Sequence, residues 1–353
     1  MNYFKKSAAV TSVVAALLIA LLCAGCTKTP EKGPDGGTAA GTQADNNERP
    51  LFVFNVIGDM QLDYEKSYCE ENYTKALQSI AEISPESALV LSTGDNTQHS
   101  RDDEYALLVN KKKEILGDLP MYLAIGNHDR GYVEGYGAGN ADFDEIKGRF
   151  VENARITSGK GDIDEVYYSF EAGGYRFIIL GSEAVSRNDT CNDVYISDAQ
   201  YNWFVSEMRS AAGTGGPVFV VIHEPYYNTV SGTLPGQNWN GNPAGDGFYE
   251  DNKYEALKEV IDGYPQAVVF SGHTHWEFKS KSPVSFGDGD HATYINASSV
   301  GYLWNDKNEG YLLNNKYSGS EGMFVYVYSD KIIIKGRDFI NNSWILEESI
   351  PIR

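Results

Sequence analysis

A chain of 353 residues, 42% of them hydrophobic, has the make-up of a globular protein, and a body of about 300 residues buries roughly three quarters of its unfolded surface. Its formal charge of -20 repels phosphate backbones, which excludes a DNA or RNA partner bound through basic patches. The acidity reads instead as the solubility of an exported protein, and no fixed-period repeat is visible.

At the amino end, Lys5 and Lys6 precede an apolar stretch from about Ala8 to Leu22, and small residues follow before Cys26. That is the layout of a secretory signal peptide over residues 1–26. Its tail, Leu22-Cys23-Ala24-Gly25-Cys26, resembles the lipobox of bacterial lipoproteins, with Cys23 where leucine is usual. The resemblance implies a body anchored by lipid at Cys26 to the outer side of a bacterial membrane. The alternative is an uncleaved membrane helix, since the stretch is nearly long enough to span. Residues 27–50 are rich in Gly, Pro, Thr and Asn without apolar periodicity, and read as a flexible tether to a domain over 51–353.

Within that domain, the pattern predicts a strand over 51–58, a helix over Tyr68–Ile83 stopped by Ser84-Pro85, and a strand over 88–93. A helix near Asp102–Leu116, a strand over 121–125, a Gly- and Tyr-rich loop over 131–140 and a helix near Ala141–Glu152 come next. Gly173-Gly174 between Val166–Phe170 and Tyr175–Leu180 signals a hairpin. Ser197 is placed to cap a helix over Asp198–Ala211, ahead of a strand over 217–222. A polar insertion fills 224–250, of a length that is usually functional or disordered. A helix over Asn252–Asp262 and a strand over 267–271 complete the alternation. Strands at Thr293–Asn296, Met323–Tyr328, Ile332–Lys335 and Ser343–Glu347 end the chain, and Gly287-Asp288-Gly289-Asp290 reads as a hairpin turn rather than a calcium loop. Units of βα type first and antiparallel strands last predict an α/β fold of two sheets packed face to face with helices outside.

Five of the apolar runs end on side chains that bind metal: Asp59, Asp95, Asn127 with His128, His223, and His273 with His275. In open α/β sheets, ligands collect beyond the carboxyl ends of the strands. The ordered motifs Gly58-Asp59-Met60-Gln61, Gly94-Asp95-Asn96, Gly126-Asn127-His128-Asp129, His223 and Gly272-His273-Thr274-His275 resemble those of the calcineurin-like metallophosphoesterases. That resemblance covers the body from about Leu51. It implies a four-layer α/β/β/α sandwich and hydrolysis of phosphomonoesters or phosphodiesters by a hydroxide shared between two divalent cations. By position, Asp59, Gln61 and His275 would hold the first cation, Asn127, His223 and His273 the second, and Asp95 would bridge both. His128 would act as general acid, oriented by Asp129. The glycines ahead of the ligands are expected to let the backbone turn, and His273 and His275 to point the same way if locally extended.

Two positions qualify the resemblance. The family usually has Asp-x-His in the first motif, and here the third residue is Gln61, which makes the first site rich in oxygen. That composition favours Mn or Fe, with Zn possible. His99, four residues after Asp95, matches a histidine that lies near the substrate phosphate in sphingomyelinase-like members; the alternative is a surface residue capping the next helix. Gln98 stands where purple acid phosphatases carry tyrosine, which disfavours that branch. The substrate expected is a small phosphoester or a lipid headgroup, and the rival function is a binding protein that keeps metal but has lost turnover. Cys69 and Cys191 fit either a bridge or two free thiols, and no CxxC occurs in the body to suggest a thiolate zinc site.

Overall fold

The computed structural model describes residues 49–63, 65–131, 142–185, 194–213, 215–237, 251–313 and 316–352. The expected signal peptide, Cys26, nearly all of the tether, Cys191, nearly all of the 131–140 segment and the 238–250 part of the insertion lie outside the described residues.

The first half alternates strand and helix: β1 (Phe52–Ile57), α1 (Ser67–Ile83), β2 (Val90–Ser92), α2 (Asp102–Leu116), β3 (Met121–Leu123) and α3 (Phe143–Ser158). A hairpin of β4 (Tyr168–Ala172) and β5 (Tyr175–Ile179) follows, then α4 (Asp198–Ala212), β6 (Val218–Val221), α5 (Tyr254–Asp262) and β7 (Ala267–Ser271). The last part is all strand: β8 (Val284–Ser285), β9 (Thr293–Asn296), β10 (Leu312–Leu313), β11 (Lys316–Tyr317), β12 (Glu321–Val327), β13 (Lys331–Asp338) and β14 (Ser343–Pro351).

Local chemistry sets the boundaries. Ser197 caps α4 by accepting from the Gln200 N–H, and Glu104 closes the start of α2 by accepting from the Arg101 N–H at 3.1 Å. Helix α3 continues past the expected Glu152 to Ser158. Ala154, Thr157 and Ser158 are buried, both hydroxyls fold back onto carbonyls one turn earlier, and Gly159 ends the helix in the left-handed conformation (φ 70°). The β4–β5 hairpin turns on Gly173 and Gly174, both at positive φ. The Gly287–Asp290 segment is a hairpin turn between β8 and β9, with the Asp290 N–H donating to the Gly287 carbonyl.

Two mixed six-stranded sheets result, ordered β14-β13-β12-β1-β2-β3 and β4-β5-β6-β7-β9-β8. The late strands β12–β14 extend the first sheet antiparallel to β1, whereas β9 joins the second sheet parallel to β7. Phe54 of β1 packs its ring against Phe177, Phe219 and Phe270 of β5, β6 and β7, with centroids 5.0–6.0 Å apart. Neighbouring residues on those strands, Ile178, Val218, Val220 and Val269, face Phe204, Met208, Leu257 and Ile261 of α4 and α5. Each strand of the second sheet's centre is therefore buried on both faces, which explains the unbroken apolar runs. At about 1.5–3 kcal/mol per buried large side chain, these two layers hold the strand ends in place.

Candidate metal centre

Each expected ligand stands just beyond the carboxyl end of a strand. Asp59, Asp95 and Asn127 follow β1, β2 and β3 of the first sheet; His223 and His273 follow β6 and β7 of the second. Two buried groups of ligand atoms form where the rims meet: Asp59, Asp95 and His275, and Asp95, His223 and His273. Asp95 belongs to both. Gln61 adjoins the first group and Asn127 the second, and each group draws side chains from both sheets.

In the second group, Asn127 Oδ1 lies 3.1 Å from His223 Nε2 and 2.9 Å from His273 Nδ1, and His223 Nε2 lies 3.3 Å from Asp95 Oδ1. His223 Nδ1 sits 2.9 Å from the Thr93 carbonyl, which can only accept, so the hydrogen is on Nδ1 and Nε2 turns a lone pair toward two oxygens. Lone pairs converging in a buried space are satisfied by a cation. In the first group, His275 Nδ1 donates to the Tyr302 carbonyl at 3.0 Å, which leaves Nε2 3.2 Å from Asp59 Oδ1. Gln61 Nε2 lies 3.4 Å from both Asp95 Oδ2 and His275 Nε2, while Gln61 Oε1 and Asp59 Oδ2 are buried without a hydrogen-bond partner. Orphaned buried oxygens beside a carboxylate and an imidazole fit a divalent cation here as well.

The charges respond to that crowding. Burial by itself would raise Asp95, but the imidazoles of His223, His128 and His273 hold its carboxyl well below the usual range. Burial disfavours a charged His223, yet Asp95, Asp59 and Glu224 push it up to about 10. Without a cation, His223 therefore carries a second proton on Nε2, and the lone pair facing Asn127 and Asp95 is the one that a cation would claim by displacing that proton. His273, buried beside His223, is held well below an ordinary histidine.

Three expectations need correction. His273 and His275 are not extended: both are left-handed (φ 68° and 60°), and their rings go to different groups. Three of the glycines serve approach rather than turning. A Cβ on Gly58 would fall on Thr93 Oγ1, on Gly126 on Asp95 Oδ1, and on Gly272 on Asp59 Oδ2. Only Gly94 of that set is at positive φ, whereas the expected ligands Asp59, Gln61 and Asp95 are left-handed themselves. Asp129 does not orient His128. Its carboxylate is wholly buried and accepts from Gly126 N, Asn96 N and Nδ2, Thr97 N and Oγ1, and Tyr105 Oη, so it fixes the Asp95 loop. Burial and the nearby Asp95 push that carboxyl upward. His128 is oriented by the Gln98 carbonyl, 3.0 Å from Nδ1, and turns Nε2 to within 4.0 Å of Asp95 Oδ2.

His99 lies at the start of α2, with its N–H and Nδ1 both on Glu104, and a quarter of its side chain is exposed. Asp63 and Glu104 beside it are already paired with Arg101 at 3.3 and 3.2 Å, so that cluster is a closed ion-pair network. Cys69 is a free, buried thiol pushed up to about 12 by burial. Sequence patterns did not point to the carbonyls of Thr93, Gln98 and Tyr302, nor to the buried pair of Arg130 and Glu224. The last two had one signal: each is a charged residue adjoining a metal-ligand motif.

A family profile described as calcineurin-like phosphoesterase matches residues 52–277. The chain is 23% identical over 257 residues to a 3',5'-cyclic-nucleotide phosphodiesterase of Nostoc sp. (strain PCC 7120 / SAG 25.82 / UTEX 2576), covering 72% of this chain and 79% of that protein. It is 28% identical over 162 residues to purple acid phosphatase 23 of Arabidopsis thaliana, covering 46% of this chain and 29% of that one. Among solved structures, purple acid phosphatase PPD1 from yellow lupin (Lupinus luteus) seeds aligns with a TM-score of 0.54 and 14% identity, over 85% of this chain and 53% of that chain, a likeness of fold alone.

Proposed function

The chain belongs to the calcineurin-like phosphoesterase family, and we propose that it hydrolyses phosphodiesters outside the cytoplasm with two divalent cations held at this rim. The observation that carries the proposal is the sharing of one buried carboxylate, Asp95, between two ligand groups. Asp59, Gln61, Asp95 and His275 would hold the first cation; Asp95, Asn127, His223 and His273 would hold the second. Bound there, the pair would supply Lewis acidity to the phosphate and activation of water. The oxygen-rich first set favours Mn or Fe. Diesters are favoured over monoesters because the relative matched along most of both chains is a phosphodiesterase.

The chain's own residues then have defined work. Thr93 and Tyr302 fix the histidine tautomers through their carbonyls. Asp129 locks the Asp95 loop. His128, with Nδ1 committed to Gln98, presents Nε2 over Asp95 and is placed to hydrogen-bond the ester oxygens and to protonate the leaving group. His99, held by Glu104, is a second proposed contact to the phosphate. A small diester or a lipid headgroup suits a chain anchored at a membrane through Cys26.

Release of nitrophenol from bis(p-nitrophenyl) phosphate and from p-nitrophenyl phosphate, with added Mn²⁺, tests this. The parent should hydrolyse the diester faster, and Asp95→Asn should lose more than about a hundredfold, since outer-shell changes alone cost ten- to hundredfold. One observation favours the second reading, a binding protein that keeps metal without turnover: Gln61, where the family usually has histidine, lies 3.4 Å through its amide nitrogen from both Asp95 and His275. Equal, negligible rates from parent and variant with metal bound would establish it.

A further inference from the structure

Resting on that metal centre, we propose that the buried Arg130–Glu224 ion pair sets the spacing of the loops that carry the second cation's ligands, so that both are positioning residues for that cation. Arg130 lies three residues beyond Asn127, and Glu224 directly follows His223. One loop belongs to β3 of the first sheet and the other to β6 of the second, so the pair crosses the same gap that the second ligand group spans.

The geometry is that of a strut. Arg130 Nη2 donates to Glu224 Oε1 at 2.8 Å and Nη1 donates to the Ala184 carbonyl at 2.9 Å, with both charged side chains buried. The Arg130 N–H returns to the Gly126 and Asn127 carbonyls at 3.2 Å, so the residue that reaches across also closes the turn presenting Asn127. On the far side, the Glu224 carbonyl accepts from Tyr254 Oη at 2.7 Å at the start of α5, which fixes the loop after His223. A buried ion pair contributes little net stability, because desolvation offsets the attraction and apolar side chains of like volume often serve as well. What apolar side chains cannot supply is a directional link of fixed length between Asn127 and His223.

The first ligand group is braced differently. The Asp59 carbonyl accepts from Ser299 Oγ and from the Gly301 N–H, and the Trp304 N–H holds the His275 carbonyl. Loss of the ion pair should therefore be felt at the second site and not at the first.

The test uses the full chain and Mn²⁺ alone, followed by titration calorimetry, in two backgrounds: His275→Ala, which keeps the second ligand set, and His223→Ala, which keeps the first. Adding Arg130→Met with Glu224→Leu should leave the metal-free urea midpoint close to that of its background. It should weaken Mn²⁺ binding about ten- to hundredfold in the His275→Ala background and leave it unchanged in the His223→Ala background. Unchanged binding in both, or equal weakening in both, overturns the proposal. Should the double variant not fold, Glu224→Gln keeps the shape and one hydrogen bond from Arg130; a smaller loss confined to the second site supports the strut, and no loss there overturns it. Failure of the unaltered chain to bind Mn²⁺ would instead sink the metal centre itself, and this proposal with it.

Discussion

Glu321, at the start of β12, is almost wholly buried, and its Oε2 accepts from the Phe278 N–H and from Ser298 Oγ, each at 2.8 Å. Burial pushes its carboxyl from an ordinary 4.5 up to about 7. At about 1.4 kcal/mol per pH unit, that gap is worth about 3 kcal/mol. The folded chain holds this proton more tightly than the unfolded chain. Unfolding between pH 4.5 and 7 therefore releases a proton, stability falls as pH rises through that window, and the full penalty persists above it. Glu321→Gln keeps the shape without the charge. Its stability relative to the parent should rise by about 3 kcal/mol between pH 4.5 and pH 8, with the parent the less stable at pH 8. Urea unfolding at pH 4.5, 6 and 8, with a chelator present so that cation binding does not enter, measures this directly. A difference between the two chains that is flat with pH would refute the reasoning.

Gly126→Ala should drop bound Mn²⁺ from two per chain to one or none after dialysis, read by atomic emission, because its Cβ falls on both the carboxylate and the backbone nitrogen of Asp95. Gly148→Ala, in open space on α3, is the control and should add roughly 0.5–1 kcal/mol of stability with metal content unchanged. Cys26→Ser should move the chain from the membrane fraction to the soluble one on cell fractionation; an unchanged membrane fraction would favour an uncleaved helix.

Helices α2 and α4 and strand β7 were legible almost to the residue because caps, stops and apolar periodicity agree there. The end of α3 was not, because the polar run after Glu152 hides that Ala154, Thr157 and Ser158 pack inward. Strands β8, β10 and β11 have two residues each, too few for any period to show. That Asp59, Asp95, Asn127, His223 and His273 stand at strand ends could be read because each follows its own apolar run. Which sheet supplies which ligand could not, since the register between two sheets is set by core packing and leaves no local pattern. The Thr93 and Tyr302 carbonyls act on histidines 130 and 27 residues away, and Asp129 holds Asn96 and Thr97 from 33 and 32 residues away, and no motif records these contacts.

The backbone at the rim explains why these residue types stand there. Asp59, Gln61, Asp95, His273 and His275 are all left-handed, with φ between 43° and 68°. A left-handed residue costs up to about 1–2 kcal/mol, least for aspartate and histidine, so this rim carries backbone strain. Hydrogen bonds from Asp59 N to the Gly94 carbonyl, from Gln61 N to the Asp95 carbonyl and from His273 N to Asp59 Oδ1 offset part of it; the phenylalanine core behind the strands must carry the rest. Aspartate and histidine are the ligand types that also tolerate this backbone, so one sequence choice meets both demands. Gln61 meets neither as well, being a weaker donor than imidazole and a poorer occupant of the left-handed region. On the proposed assignment, the first site is therefore where the chain would accept a cost in backbone and in affinity together, and where a difference in metal or turnover from its relatives should first appear.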